Sequence, residues 1–184
     1  MIWFTGDTHF GHANIVGYCS RPFADVHEMD REMIARWRTR VKPGDEVYHL
    51  GDFALMSPAR EEALLAGLPG RKHLIHGNHD TRIGRCRRMD WEWVESYHEL
   101  ELDGHLVVLN HYPIPLEEWE GYWDGSLHLH GHSHGTRPAP DIRRLDVGVD
   151  PRGFAPISWP EVKMVLLAVP APPKPSRPYE GVGK

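Results

Sequence analysis

The sequence predicts an α/β domain. Short apolar segments rich in strand formers recur along the chain, and each runs into a glycine and then a polar residue. Segments with helical apolar spacing lie between them. The length of 184 residues suits one domain. Hydrophobic residues at 40% and charged residues at 26% are close to globular averages, which excludes a disordered or fibrous chain and implies a buried core.

Residues 2–5 are apolar and end at Gly6-Asp7, so they read as a buried strand that delivers Asp7 into a loop. Residues 9–23 are loop-like. Asp25 or Asp30 can cap a helix to about Arg40, because Met29, Met33, Ile34 and Trp37 recur at helical spacing and Lys42-Pro43-Gly44 then stops it. Residues 46–50 read as a second strand, followed by Gly51-Asp52. Ser57 as N-cap and Pro58 at the first position open a helix through Ala66, ended by Gly67. Residues 73–76 form a third strand that enters Gly77-Asn78-His79-Asp80. Residues 95–102 and 105–110 alternate around the turn dipeptide Asp103-Gly104, a hairpin signature, with His111 after the second arm. Residues 126–130 lead to Gly131-His132-Ser133-His134, and 144–149 make one more strand. Residues 159–169 fit a helix or a strand. From Pro170 the proline-rich chain is expected to be a disordered tail, giving a domain over 1–169 and a tail over 170–184.

Composition narrows the function classes. Lys and Arg total 21 against 26 Asp and Glu, a formal charge of -5, which disfavours a protein that wraps nucleic acid. Cys19 and Cys86 have neither disulfide-framework nor thiolate-zinc spacing, so a reducing cytoplasm is expected. No apolar run reaches the roughly 20 residues of a membrane span, and the first residues lack the pattern of a secretory leader. No stable protein partner is expected.

The 14 histidines gather around glycines and aspartates. The polar residues at the strand ends are Asp7, His9, Asp52, Asn78, His79, Asp80, His111, His132 and His134. Imidazole and carboxylate together suit manganese, iron, zinc, cobalt or nickel, whereas calcium wants oxygen alone and structural zinc favours cysteine. Seven of these, Asp7, His9, Asp52, Asn78, His111, His132 and His134, are too many for one ion but fit two ions that share a carboxylate, with Asp52 as the bridge. Gly6, Gly51, Gly77 and Gly131 precede such residues, where a backbone turns sharply and approaches the ions closely.

The ordered blocks Asp7-Thr8-His9, Gly51-Asp52, Gly77-Asn78-His79-Asp80, His111 and Gly131-His132-Ser133-His134 resemble the calcineurin-like metallophosphoesterase superfamily, in its small prokaryotic or phage-type form. That resemblance implies a four-layer α-β-β-α sandwich of two mixed sheets, with metal-binding loops at strand ends. It implies two divalent transition-metal ions, manganese foremost, with iron, zinc, nickel or cobalt as alternatives. Asp7, His9, Asp52 and His134 would hold one, and Asp52, Asn78, His111 and His132 the other. His79 would be the non-ligand histidine that contacts phosphate and protonates the leaving oxygen. A hydroxide bridging the ions would attack phosphorus without a covalent phosphoenzyme. Asp80 would support the ligands or touch substrate, and His12 and Arg21 are candidate substrate contacts, Arg21 or Arg82 as a phosphate clamp. The chain departs from the GDxVDRG block of the protein serine/threonine phosphatases, since Leu55 stands where an acidic partner of the catalytic histidine is expected; that branch is disfavoured.

The implied activity is hydrolysis of small phosphodiesters or phosphomonoesters, nucleotides among them. Two other classes remain open at this point: a non-catalytic protein-binding module on the same scaffold, and a nuclease on longer nucleic acid. The remaining histidines read as packing or exposed residues, with His76 and His130 placed to support ligands. Trp91, Trp93, Trp119 and Trp123 could stack on a base but more often simply pack. Arg82, Arg85, Arg87 and Arg88 read as a solvated helix face or a phosphate-attracting rim.

Overall fold

The computed structural model describes residues 1–80, 89–137 and 142–174. Its elements in chain order are β1 (Ile2–Thr5), α1 (Ile15–Tyr18), α2 (Val26–Arg40), β2 (Glu46–His49), α3 (Pro58–Gly67), β3 (Arg71–Ile75), β4 (Val94–Glu95), β5 (Tyr97–Leu102), β6 (His105–Asn110), β7 (Leu127–His130), β8 (Arg144–Asp146), β9 (Ile157–Ser158) and α4 (Trp159–Leu166). They build two mixed sheets. One has the order β4-β3-β2-β1-β9, with β1 to β4 parallel and β9 antiparallel. The other has the order β5-β6-β7-β8, in which β5 and β6 form the expected hairpin and β6, β7 and β8 are parallel.

Strand alternation explains how the sheets pack. Phe4, Tyr48 and Ile75 face the second sheet and meet Val107, Leu109, Leu127, Leu129 and Leu145, with Trp159, Val162 and Leu166 of α4 joining the same core. Their neighbours Trp3, Val47 and Leu74 face the other way, onto Met29, Met33 and Trp37 of α2 and Leu65 of α3. On the outer face of the second sheet, Val108 packs with Ile114, Trp119 and Tyr122, from the segment of two short 3-10 turns, Leu116–Glu118 and Tyr122–Asp124.

Local chemistry sets the boundaries. Asp25, not Asp30, caps α2, accepting from the amides of His27 and Glu28. Asp30 instead accepts from the Gly11 amide with both oxygens, at 3.0 and 3.1 Å. Pro58 begins α3 as expected, although the Ser57 side chain makes no capping bond. Residues 159–166 are helical because Ser158 and Glu161 form a reciprocal capping box. The expected arm 95–102 is two strands: Val94–Glu95 joins the first sheet and Tyr97–Leu102 the second, the chain changing sheets at Ser96. The strand from Arg144 ends at Asp146, short of Val149. The loop-like 9–23 contains the four-residue α1. Of the proline-rich segment, Lys174 pairs with Asp124 at 2.8 Å, while 175–184 lie outside the described residues. The run Arg82, Arg85, Arg87, Arg88 lies outside them too.

Candidate metal centre

Parallel strands present their carboxyl ends along one sheet edge, and loops leaving those ends can meet there. Asp7 follows β1, Asp52 follows β2, Asn78 follows β3, His111 follows β6, and His132 and His134 follow β7. Residues distant in sequence thereby share one place. Single donor atoms of Asp7, His9 and His134 lie within 4.8 Å of one another, as do those of Asp7, Asp52 and His111. His9 Nε2 and His111 Nε2 approach the same oxygen, Oδ2 of Asp52, at 3.5 and 3.7 Å. Asn78 Oδ1 lies 3.0 Å from both His111 Nε2 and His132 Nδ1. All seven sequence-predicted ligands are therefore linked in one cluster, with Asp52 between its halves.

The backbone is bent to achieve this. Asp7, His9, Asp52, His132 and His134 have φ of 52°, 50°, 57°, 63° and 46°, left-handed conformations uncommon for residues with a Cβ. Gly51 precedes Asp52 at φ 93°, and a Cβ on Gly77 would collide with the Asp52 carboxylate and the His111 ring. Glycine is required at both places.

Neighbouring groups fix each donor. His111 Nδ1 contacts the Leu50 carbonyl at 2.7 Å, which turns Nε2 toward the cluster. Asp80 accepts from the amides of Asp52 and Gly77, both at 2.7 Å, and of Phe53 at 3.2 Å. It ties the second and third loops together from beneath. The Thr8 hydroxyl donates to the Phe53 carbonyl at 2.7 Å and contacts His49 Nε2 at 2.9 Å, so His49 donates to Thr8 and stays inside the fold.

Two residues that sequence reasoning missed hold the cluster from the other side. Asp150 Oδ2 contacts His134 Nδ1 at 2.8 Å, leaving His134 Nε2 for the centre. Asp146 accepts from the amides of Gly135 and Gly148 at 2.9 and 2.8 Å and so fixes the turn after His134. The clamp expected of Arg21 gives way here to a different role. Its guanidinium side chain has 0% exposure and faces inward, donating to both oxygens of Asp150 at 2.9 Å and to the carbonyls of Thr8 at 3.0 Å and Asp7 at 2.7 Å. No donor on it points to solvent; it braces the first loop. Cys19 falls near His134 and Asp150, but the His134 nitrogen on that side already meets Asp150.

His79 and His12 sit at the mouth. The His79 ring is 5.0 Å from that of His9 and 5.9 Å from that of His12, and its amide donates to Asp52 Oδ1 at 2.8 Å. His79 is exposed and His12 partly so. His76 is half-buried, and His130 is buried with Nδ1 against the Gly131 carbonyl. The tryptophans are elsewhere: Trp91 and Trp119 are buried, Trp93 packs against His73 and His98, and Trp123, partly exposed, meets Tyr122 edge-on.

The electrostatics fit a cation. Asp7 Oδ2 and His9 Nε2 are buried and have no hydrogen-bond partner among the described residues, and such orphaned atoms are costly unless something else meets them. Burial pushes the Asp7 carboxyl well up, against the opposing pull of His134 and the His132 amide. Burial, with the nearby charges of His134 and Arg21, pushes His9 down to about 2, leaving it a neutral imidazole able to coordinate. For His134 burial also opposes the charged form, but the Asp150 hydrogen bond and the carboxylates of Asp7 and Asp150 outweigh it and raise the pKa. The nitrogen and oxygen donor set suits a transition-metal ion.

Comparison with known proteins agrees with the geometry. Residues 22–146 match the model of the calcineurin-like phosphoesterase superfamily domain. The chain is 33% identical over 165 residues to the uncharacterized protein MJ1445 of Methanocaldococcus jannaschii, covering 85% of this chain and 86% of that one. It is 31% identical over 177 residues to the Gene 66 protein of Mycobacterium phage D29, covering 81% and 87%. Among solved structures, the protein of unknown function AQ665 from Aquifex aeolicus superposes with a TM-score of 0.74 at 28% identity, over 89% of this chain and 98% of that one. An archaeal phosphodiesterase shares the fold, with a TM-score of 0.51 at 16% identity over 80% and 81%.

Proposed function

The chain belongs to the calcineurin-like phosphoesterase superfamily, and from that premise we propose that it hydrolyses small phosphodiesters or phosphomonoesters, nucleotides among them, with two divalent transition-metal ions. Manganese is the first candidate, with iron, zinc, nickel and cobalt as alternatives. The observation that carries the proposal is the approach of two imidazoles, His9 and His111, to one oxygen of Asp52, with His134 grouped with His9, Asn78 and His132 linked to His111, and Asp7 close to both groups. Asp7, His9, Asp52 and His134 would hold one ion, and Asp52, Asn78, His111 and His132 the other. When bound, such a pair supplies Lewis acidity that neutralises phosphate charge and makes water a better nucleophile.

The chain's own residues do the rest. His79, open at the mouth, holds a proton for the leaving oxygen, and its backbone bond to Asp52 keeps it beside the centre without making it a ligand. His12, partly open and 3.4 Å from His9 between their Nδ1 atoms, contacts the phosphate or its ester group. Arg21, Asp150 and Asp80 touch no substrate; they hold loops and imidazoles still, which is what rate enhancement by preorganisation requires. We place the protein in the cytoplasm, acting without a protein partner. No helix among the described residues is long and apolar enough to cross a membrane.

The full set of donors argues for catalysis and against a binding module that has lost its metals. The deciding experiment is chelation followed by return of manganese, with hydrolysis of p-nitrophenyl diester and monoester substrates as readout. Activity that disappears and returns is expected. No hydrolysis with any of the five metals would overturn the proposal.

A further inference from the structure

Two exposed aromatic side chains stand beside the centre, Tyr18 and Tyr112. Tyr18, 76% exposed, has its ring 6.4 Å from that of His12 between centroids. Tyr112 is better placed. Its ring lies 4.8 Å from that of His111 and 4.7 Å from that of His132, both on the Asn78 side of the cluster. Its amide donates to Asn110 Oδ1 at 2.8 Å, which fixes the backbone beneath the ring. The residue nevertheless keeps 45% of its surface open, and its hydroxyl makes no hydrogen bond among the described residues. What sets this ring apart is its place: a partly exposed aromatic side chain in edge contact with two candidate ligands, at the rim of the centre where a substrate would lie. Every base has a π-face, and stacking on tyrosine is a sequence-tolerant way to hold one.

Resting on the phosphoesterase reading above, we propose that Tyr112 is a stacking platform for the heterocyclic base of a nucleoside phosphate ester, which makes nucleotides the preferred substrate class of this centre. The role looked for in the tryptophans thus falls to a tyrosine at the strand end that carries His111. The ring acts by its face, so its hydroxyl is dispensable.

The test uses two esters with one leaving group, the p-nitrophenyl esters of thymidine 5′-phosphate and of methyl phosphate. The wild-type protein should prefer the thymidine ester by about tenfold in kcat/KM, the scale of one stacked base. Tyr112→Phe should keep that ratio, and Tyr112→Ala should bring it close to one. No preference in the wild type, loss of it in Tyr112→Phe, or an equal fall for both esters in Tyr112→Ala would overturn the platform. If the wild type hydrolyses neither ester, nor p-nitrophenyl phosphate, with any of the five metals, the phosphoesterase reading fails instead. Saturation-transfer NMR with thymidine 5′-monophosphate then decides the platform separately: contact with the base protons, lost in Tyr112→Ala, supports it, and absence of that contact in the wild type overturns it.

Discussion

Replacing Asp150 by alanine separates what the Arg21–Asp150 pair does for the fold from what it does for the centre. Arg21 makes four hydrogen bonds to oxygen, two of them to Asp150, and its side chain has no exposed surface. Removing one partner of a buried ion pair typically costs about 3–5 kcal/mol, because the other charge is left without compensation. Two of the four bonds, to the Thr8 and Asp7 carbonyls, survive the change, so the lower end, about 3 kcal/mol, is expected in urea unfolding. The same substitution frees Nδ1 of His134, and loss of such a partner typically costs about 10–100-fold in metal affinity. Manganese titration measures that loss. The double variant Arg21→Met with Asp150→Ala removes the unpaired charge and should recover much of the stability while leaving the affinity defect in place. A single Asp150→Ala variant that unfolds within about 0.5 kcal/mol of wild type, or a double variant with wild-type affinity for manganese, would refute the reasoning.

Asp52→Asn should abolish turnover and lower occupancy at both positions, read by metal analysis after dialysis, because both His9 and His111 face its Oδ2. His79→Ala should keep its metal content yet lower kcat by about 10²–10⁴-fold, most severely for esters with poor leaving groups, as expected for loss of a general acid. His49 and His128 are buried and held neutral, each pushed by burial to about 3. The unfolded chain binds these protons below its ordinary histidine pKa near 6.5 while the fold does not, so their contribution is present above that pH and shrinks as pH falls toward 3, by about 1.4 kcal/mol per pH unit for each proton. Urea unfolding of the chelated protein between pH 7 and pH 4 measures the slope, and replacing His128 by a neutral residue should reduce it.

Much of the centre was legible because its chemistry is local. A short apolar strand, a glycine and then Asp, His or Asn is a pattern within a few residues, and it marked Asp7, Asp52, Asn78 and His132 before any contact was known. What could not be read depends on distance. Arg21 and Asp150 are 129 residues apart, and nothing near either announces the other. An arginine close to a candidate centre reads as a phosphate clamp when its burial is hidden. The one available signal for Asp150 was its position just after the strand that starts at Arg144, the same strand-end placement as the ligands. The break at Ser96 was hidden because residues 95–102 carry no glycine or proline to mark it; the only sign is that Val94, Tyr97 and Leu100 are three apart, so the alternation of Leu100 and Leu102 does not extend back across it. Nothing in the sequence distinguishes Tyr112 from the tryptophans, which have larger rings but lie mostly in cores or against other rings.

The strain in the loops bears on when the centre is organised. Left-handed conformations at five candidate ligands cost of the order of 1–3 kcal/mol each and persist only where the surroundings over-determine them. Those surroundings are bonds between the loops themselves. The Asp7 amide donates to the Gly51 carbonyl and the His9 amide to the Asp52 carbonyl, both at 2.9 Å, while the His132 amide donates to Asp7 Oδ1 at 3.0 Å. Asp80 adds the amides of Asp52 and Gly77. None of these bonds uses the atoms left without partners, Asp7 Oδ2 and His9 Nε2. These bonds hold the bent loops in place, and a bound cation would meet Asp7 Oδ2 and His9 Nε2 where the loops set them. Ion binding at such a centre differs from that of a zinc finger, where folding and coordination are one event. It follows that the hairpin and both sheets should stand without metal, and that loss of an ion should silence the chemistry while leaving the sandwich intact.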